Sequence, residues 1–290
     1  MSTELLPNWL PLIYLFIHTT LSMNSGHKTV MKAKIVVLNL ALSLYFALLI
    51  FWGHSLTEWT GWSKFLLLWS PIIFFWWAYL WSKQTLTGVH PVGFHFDSFL
   101  IQFESRLGQP SLTWARKGNR LLSEILHIFY FSYYLYTPVI AIYLDISNRI
   151  HDFALLSFGV TFGYLVSYVT FALVPVYGPR LSLVDAGLLP ASVQRAKGYW
   201  ITRFINKLMF GGPALKGGAM PSSHSSTAIV FWYWCWVIWG IPGGIVGGII
   251  AVGMGLGAVY GRYHFVTDVI VGAPSYAGSE SKEGAAFVFL

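Results

Sequence analysis

The chain has 290 residues, of which 56% are hydrophobic and 10% charged, with a formal charge of +7. Soluble domains carry roughly 25% charged residues, so this composition excludes an ordinary soluble fold and points to one all-α polytopic membrane domain over 1–290, with about six to eight spans. The basic residues are scattered between apolar stretches and form no stripe, which argues against nucleic acid and for membrane lipid, or an anionic phosphate-bearing lipid, as partner.

Apolar stretches able to cross a ~30 Å hydrocarbon layer, or nearly so, fall at about 9–23, 35–53, 65–82, 121–145, 153–176, 225–240 and 243–260. The first is short enough to lie flat at the interface. It lacks the basic region and small-residue cleavage site of a secretory signal, so it is expected to stay in the mature protein. His18 and His54 read as interfacial residues. The 14 Trp, 16 Tyr and 22 Phe fit aromatic belts as well as bundle core.

Residues 27–34, 83–120 and 178–223 hold 14 of the 18 Lys and Arg, and alternation through the spans puts all three on one membrane face. The opposite loops hold only Lys64 and Arg149. By the positive-inside rule the basic face would be cytoplasmic. Within the first long connection His90, His95 and Asp97 read as solvated loop residues, with a place lining the entrance to a site as the alternative. In the fourth span Glu124 and His127 stand three apart, but the second such pair and the extra glutamates of a di-iron bundle are missing. They read as a buried polar pair that supports a site or helix packing.

Cys235 is the only cysteine, so an intrachain disulfide and a cysteine-rich zinc site are both excluded. Glycines at 243, 244, 247, 248, 253, 255, 257 and 261 predict close helix packing in lipid. An eighth apolar stretch runs only from Phe265 to Ala273, before Pro274 and a polar run to Glu283. Residues 274–290 therefore read as an atypical tail, as of a truncated or replaced end.

Three segments carry chemistry, the first of which is Gly218-Ala219-Met220-Pro221-Ser222-Ser223-His224-Ser225, ahead of an apolar helix. Free backbone N–H groups and the helix dipole make such a start an anion nest, where an imidazole can hold or give a proton. The second is Tyr260-Gly261-Arg262-Tyr263-His264-Phe265-Val266-Thr267-Asp268. If 264–268 is helical, Asp268 lies one turn from His264 and can accept a hydrogen bond from one imidazole nitrogen, leaving the other nucleophilic. The third, Val174-Pro175-Val176-Tyr177-Gly178-Pro179-Arg180, ends an apolar helix with a guanidinium suited to phosphate oxygens.

Together these segments resemble the motif set of the type 2 phosphatidic acid phosphatase superfamily: K-x6-R-P, P-S-G-H and S-R-x5-H-x3-D. Arg180 matches the first arginine, Pro221-Ser222-Ser223-His224 the second motif with Ser for Gly, and His264 with Asp268 the end of the third. Phe96-Asp97-Ser98, Glu104-Ser105-Arg106, Gln109-Pro110-Ser111 and Tyr130-Phe131-Ser132-Tyr133-Tyr134 resemble the branch of inositol phosphorylceramide synthase. Leu173 stands where the broader family has Lys, Pro179 precedes the arginine instead of following it, and Ala258 stands in the place of Arg.

The resemblance covers roughly 90–272, with a catalytic core at about 121–273. It implies that His264 attacks phosphorus to form a phosphohistidine while Asp268 orients it, and that His224 protonates the departing oxygen and then activates the acceptor. Arg180, Arg262, Ser222 and Ser223 would bind the phosphate, with no metal and no cofactor. Water as acceptor makes the enzyme a lipid phosphatase; a lipid or sugar hydroxyl makes it a head-group phosphotransferase. A transporter is the rival from another class, but it would place its ionisable groups at mid-membrane. The resemblance implies a multi-pass protein of the inner or plasma membrane with an extracytoplasmic site, against the cytoplasmic face favoured by loop charge.

Overall fold

The computed structural model describes residues 3–55, 60–85, 89–91, 93–116, 118–191, 195–211, 217–273, 277–281 and 284–288. In chain order the helices are α1 (Leu6–Met23), α2 (Thr29–Ser55), α3 (Gly61–Thr85), α4 (Asp97–Ser105), α5 (Pro110–Arg116), α6 (Arg120–Ile146), α7 (Ile150–Leu173), α8 (Pro179–Asp185), α9 (Trp200–Gly211), α10 (Ser223–Tyr260) and α11 (Val266–Gly272). A two-stranded antiparallel hairpin follows, β1 (Ala277–Ser281) with β2 (Gly284–Val288). Among the described residues five helices, α2, α3, α6, α7 and α10, are long and apolar enough to cross a membrane. The fold is the expected all-α polytopic bundle.

Both long polar connections fold into short helices, which a search for runs of spanning length does not detect. Pro110 and Pro179 open α5 and α8, where the missing N–H costs nothing. The first turn of α9 is capped from α6: Glu124 accepts from the N–H groups of Ile201 at 3.0 Å and Thr202 at 3.2 Å. Helices too short to persist alone are thus held by tertiary caps.

Residues 1–94 and 139–173 form one compact unit. There α1 packs against α2, α3 and α7, so the first apolar stretch is part of a helical bundle. Without a hydrophobic drive between helices in lipid, polar links help to set the packing. Asn8 Nδ2 donates to the Leu67 carbonyl at 2.9 Å, and Tyr168 donates its hydroxyl to the Phe75 carbonyl at 3.0 Å. His18 is packed inside this unit, bonded to Asn39 at 2.9 Å and stacked on Tyr14, whereas His54 is exposed.

Residues 95–138 and 174–290 form the other unit, organised by a fold-back in α10. Gly240 has φ 60° and ψ −148°, and Pro242 follows it. Twelve residues of straight helix span about 18 Å, yet Trp232 Nε1 donates to the Gly244 carbonyl at 2.7 Å. The chain therefore runs out along 223–239 and returns along 241–260. Glycines line the contact between these arms: a Cβ built on Gly247 would lie 2.8 Å from that of Cys235. The returning arm also receives α6, where a Cβ on Gly253 would strike the Phe129 ring and one on Gly257 the Leu126 carbonyl. The close packing expected from the glycines is what the structure has.

Gly257→Val should push α6 off the returning arm and destabilise the chain by about 1–3 kcal/mol, as overpacking of a filled interface does. Thermal unfolding in detergent, followed by helical circular dichroism, measures this. A wild-type unfolding temperature would mean that the approach at Gly257 does not hold the two helices.

Candidate active site

The fold-back of α10 determines where the two sequence-predicted histidines meet. His224 lies in the first turn of the outgoing arm and His264 four residues beyond the end of the returning arm, so both belong to the same end of the hairpin. Ser222 caps that end, its Oγ accepting from Ser225 N at 3.4 Å.

Backbone hydrogen bonds then join the three sequence segments. Val176 N donates to Gly217 O at 3.3 Å and Ala219 N to Val176 O at 3.0 Å, a short parallel bridge between the first and second. Arg180 N donates to Arg262 O at 3.1 Å, and Ser222 N to Asp268 O at 2.9 Å. Gly178, with φ 85°, permits the closest approach, since a Cβ there would lie 2.9 Å from the Tyr263 carbonyl.

The His264 ring is buried, and its Nδ1 lies 2.7 Å from the carbonyl oxygen of Ala219. A carbonyl can only accept, so Nδ1 carries the hydrogen and Nε2 keeps its lone pair. The sequence reading assigned this bond to Asp268. The Asp268 carboxylate is instead 3.7 Å from Nδ1 and accepts from Phe265 N at 2.7 Å, capping α11. The reason is local: α11 starts at Val266, so His264 stands outside the helix that the i,i+4 argument required. Burial pushes the Asp268 carboxyl above its ordinary range, while His264 and the Phe265 N–H pull it back.

The His224 and His264 ring centroids are 5.7 Å apart. Tyr130 stacks on His224 at 4.6 Å and Tyr133 lies tilted over it at 4.2 Å. Among the described residues neither ring nitrogen of His224 has a hydrogen-bond partner. Tyr263 continues the stack, 4.4 Å from Tyr130. Burial pushes the Tyr263 phenol up, and the opposing pull of Arg180 puts that guanidinium in electrostatic range of the same stack. Arg262 is 1% exposed and gives its Nε hydrogen to the Ser111 carbonyl at 3.1 Å, tying α5 to the loop before His264.

Five supporting residues differ from their reading in the sequence or are not marked by it. Asp97 is fully buried, not solvated, and its carboxylate accepts from Tyr177 N at 2.8 Å and Gly178 N at 2.9 Å. His95 lies 2.9 Å from the same carboxylate and stacks on Tyr177 at 4.4 Å. Glu104 is buried too, and its Oε1 accepts from Val266 N at 2.6 Å and the Ser111 hydroxyl at 3.1 Å. Tyr130 and Tyr133 form the wall over His224; in the sequence their aromatic run stands out only by its resemblance. His127 donates from Nδ1 to the Ser123 carbonyl at 2.7 Å and meets Tyr263 edge-on, so with Glu124 it supports packing. Among the described residues no group of three or more His, Cys, Asp or Glu could hold a metal ion.

A family model described as the PAP2 superfamily matches residues 98–279, more than half of the chain. No curated protein and no solved structure matches it.

Burial lifts the Glu104 carboxyl above its ordinary value of 4.5 and that of Asp268 above 3.8. The folded chain thus keeps these protons to higher pH than the unfolded chain does. Their contribution to stability is complete below the ordinary carboxyl range and is lost as pH rises through the folded values. Glu104→Gln keeps an acceptor for Val266 N and should flatten the fall in unfolding temperature above pH 4.5. Glu104→Ala leaves that N–H orphaned and should cost about 1–3 kcal/mol. An unchanged pH profile in the Gln variant would assign the titration elsewhere.

Proposed function

We propose that this chain, which belongs to the PAP2 superfamily, is a membrane phosphatase that acts on lipid phosphates through a phosphohistidine intermediate. Its superfamily and its five apolar helices make it an integral membrane protein of a phosphatase-type superfamily. Substrate, steps and residue roles are the proposal. The observation that carries it is the pair of imidazoles 5.7 Å apart, with His264 Nδ1 committed to a carbonyl and Nε2 left basic.

In this reading His264 Nε2 forms a bond to phosphorus as the bond from phosphorus to the lipid oxygen breaks. His224, in its protonated form, gives its proton to that oxygen, and the lipid alcohol leaves. Water then attacks phosphorus, neutral His224 takes the water's proton, the P–N bond breaks and inorganic phosphate departs. The guanidinium of Arg180, the backbone N–H groups near Ser222 and Ser223, and the Nη groups of Arg262 stabilise charge on the phosphoryl oxygens. Nε of Arg262 is already engaged by Ser111. Asp268 acts as a positioning residue: it holds the start of α11 and places negative charge 3.7 Å from His264 Nδ1. These steps need no metal.

The test is phosphate release from phosphatidic acid in detergent with EDTA present. Wild type should turn over, His264→Ala should fall about a thousandfold or more, and His224→Ala by about 10²–10⁴. Acid-labile, alkali-stable phosphate should be trapped on wild type and not on His264→Ala. Wild-type turnover by His264→Ala removes the nucleophile. New phospholipid in place of free phosphate would mark a head-group phosphotransferase. We place the site on the extracytoplasmic side, so a cysteine at exposed Ala186 should react with an impermeant maleimide in intact cells; reaction only after permeabilisation would reverse that placement.

A further inference from the structure

Helix α9 is amphipathic in the reverse of the sense that water imposes. Its polar Thr202 and Asn206 are buried together with Ile205, whereas Trp200 is 73% exposed, Phe204 50% and Leu208 51%. Thr202 Oγ1 lies 3.1 Å from Ser123 Oγ of α6, and Asn206 Nδ2 donates to the Ala196 carbonyl at 3.0 Å. At about 100° per residue, Trp200, Phe204 and Leu208 form one outward stripe, and Arg203 and Lys207 form a second beside it. Both cations are exposed. Arg203 gives its Nε hydrogen to the Tyr199 carbonyl at 2.9 Å, which leaves its Nη groups for a ligand. Residues 195–211 contain no Asp or Glu, and among the described residues neither cation has an ion-pair partner.

The attachment of α9 places it at the edge of the membrane. Glu124, near the start of α6, caps its first turn, and Tyr260, the last residue of α10, donates its hydroxyl to the Asn119 carbonyl just before α6 at 3.2 Å. Two crossing helices thus have an end here, at the lipid–water boundary. The 12 residues of α9 reach about 18 Å and cannot cross a ~30 Å layer.

An apolar stripe beside a basic one suits a helix that lies in the interface, with its apolar side among acyl chains and its cations at headgroup phosphates. A second copy docked on the same face would bring cations against cations, so charge complementarity selects an anionic surface. We infer that α9 is a docking surface for anionic phosphodiester lipids of the surrounding leaflet. Arg203 and Lys207 hold the headgroup, and Trp200, Phe204 and Leu208 touch the acyl chains. Such a lipid is not a substrate in the phosphatase reading, because a diester carries no terminal phosphate to release.

The test puts a fluorophore on Leu208→Cys in the whole chain, in nanodiscs of phosphatidylcholine; Cys235 is 3% exposed and should stay unlabelled. Brominated phosphatidylglycerol or brominated phosphatidylcholine is added as a minor component, and quenching reports which lipid lies against α9. A cation near an anionic surface is worth about fivefold in binding. Phosphatidylglycerol should therefore quench at a mole fraction at least about fivefold lower than phosphatidylcholine does. Arg203→Gln and Lys207→Gln should each reduce that preference about fivefold, and the double variant should lose it while phosphatidylcholine still quenches. Raising salt from about 0.1 M to about 1 M shortens the screening length from ~10 Å to ~3 Å and should weaken the preference in the unmutated surface.

Equal quenching by the two lipids, or a preference that survives high salt or the double substitution, overturns the anionic docking surface. Quenching by neither lipid would mean that a second copy or another protein covers α9, and overturns it too. Turnover of a water-soluble phosphate ester by the double variant should match wild type, so the phosphatase reading stands or falls separately.

Discussion

One backbone reversal, at Gly240, underlies everything the site needs. A straight helix over 223–260 would be about 55 Å long and would carry its two ends to opposite sides of a ~30 Å hydrocarbon layer. His224 and His264 would then never share a ligand. With φ at 60° the chain turns back, and small residues let the arms close to the point where Trp232 reaches the Gly244 carbonyl. In lipid this closeness has to come from van der Waals fit, because hydrocarbon solvates a leucine as well as another helix does. The glycines facing Cys235 and Trp232 supply that fit.

Bringing two segments to the same end still leaves their loops to be held, and buried carboxylates do this. Asp97 takes two N–H groups of the 176–178 turn, Asp268 takes the N–H of Phe265, and Glu104 takes that of Val266. Each satisfies backbone donors that would be costly to bury without a partner. Three acids beside a proposed phosphate site look counterproductive by charge alone. Their oxygens are spent on the scaffold, however, and Arg180 and Arg262 stand in the loops that they hold. The carboxylates fix positions; meeting the anion falls to the guanidinium groups in the proposed reading.

Much of this was legible in the sequence. The apolar runs mark the crossing helices, the break at 240–243 is visible as Gly and Pro, and the three polar segments are recognisable by residue type. What escaped depends on partners that no pattern exposes. The partner of His264 Nδ1 is the Ala219 carbonyl, an atom that every residue carries, so side-chain identities could only suggest Asp268. Asp97 and Glu104 stand in a polar connection where acids are ordinarily solvated. Only the return of residues 177, 178 and 266 onto α4 and its start reveals them as caps. The same long-range bonding makes α4, α5, α8 and α9 helical where local hydrophobic periodicity reads as loop.

The departures from the broader family pattern also have a physical reading. Ala258 stands where that pattern has an arginine, and it is fully buried against Tyr130 and Tyr263. Its carbonyl accepts from both Tyr263 N at 2.9 Å and His264 N at 3.2 Å, so it anchors the turn that delivers His264. A long cation at 258 would have to displace the tyrosine stack, which continues from Tyr263 through Tyr130 to His224. The chain carries its arginine four residues later, at Arg262, where φ is 58° in the turn beyond α10. A guanidinium there approaches from the loop and leaves the helix face to the aromatic rings. The aromatic wall occupies the place of the missing arginine and packs against the His224 ring, so in the proposed reading Arg262 supplies the charge from the loop.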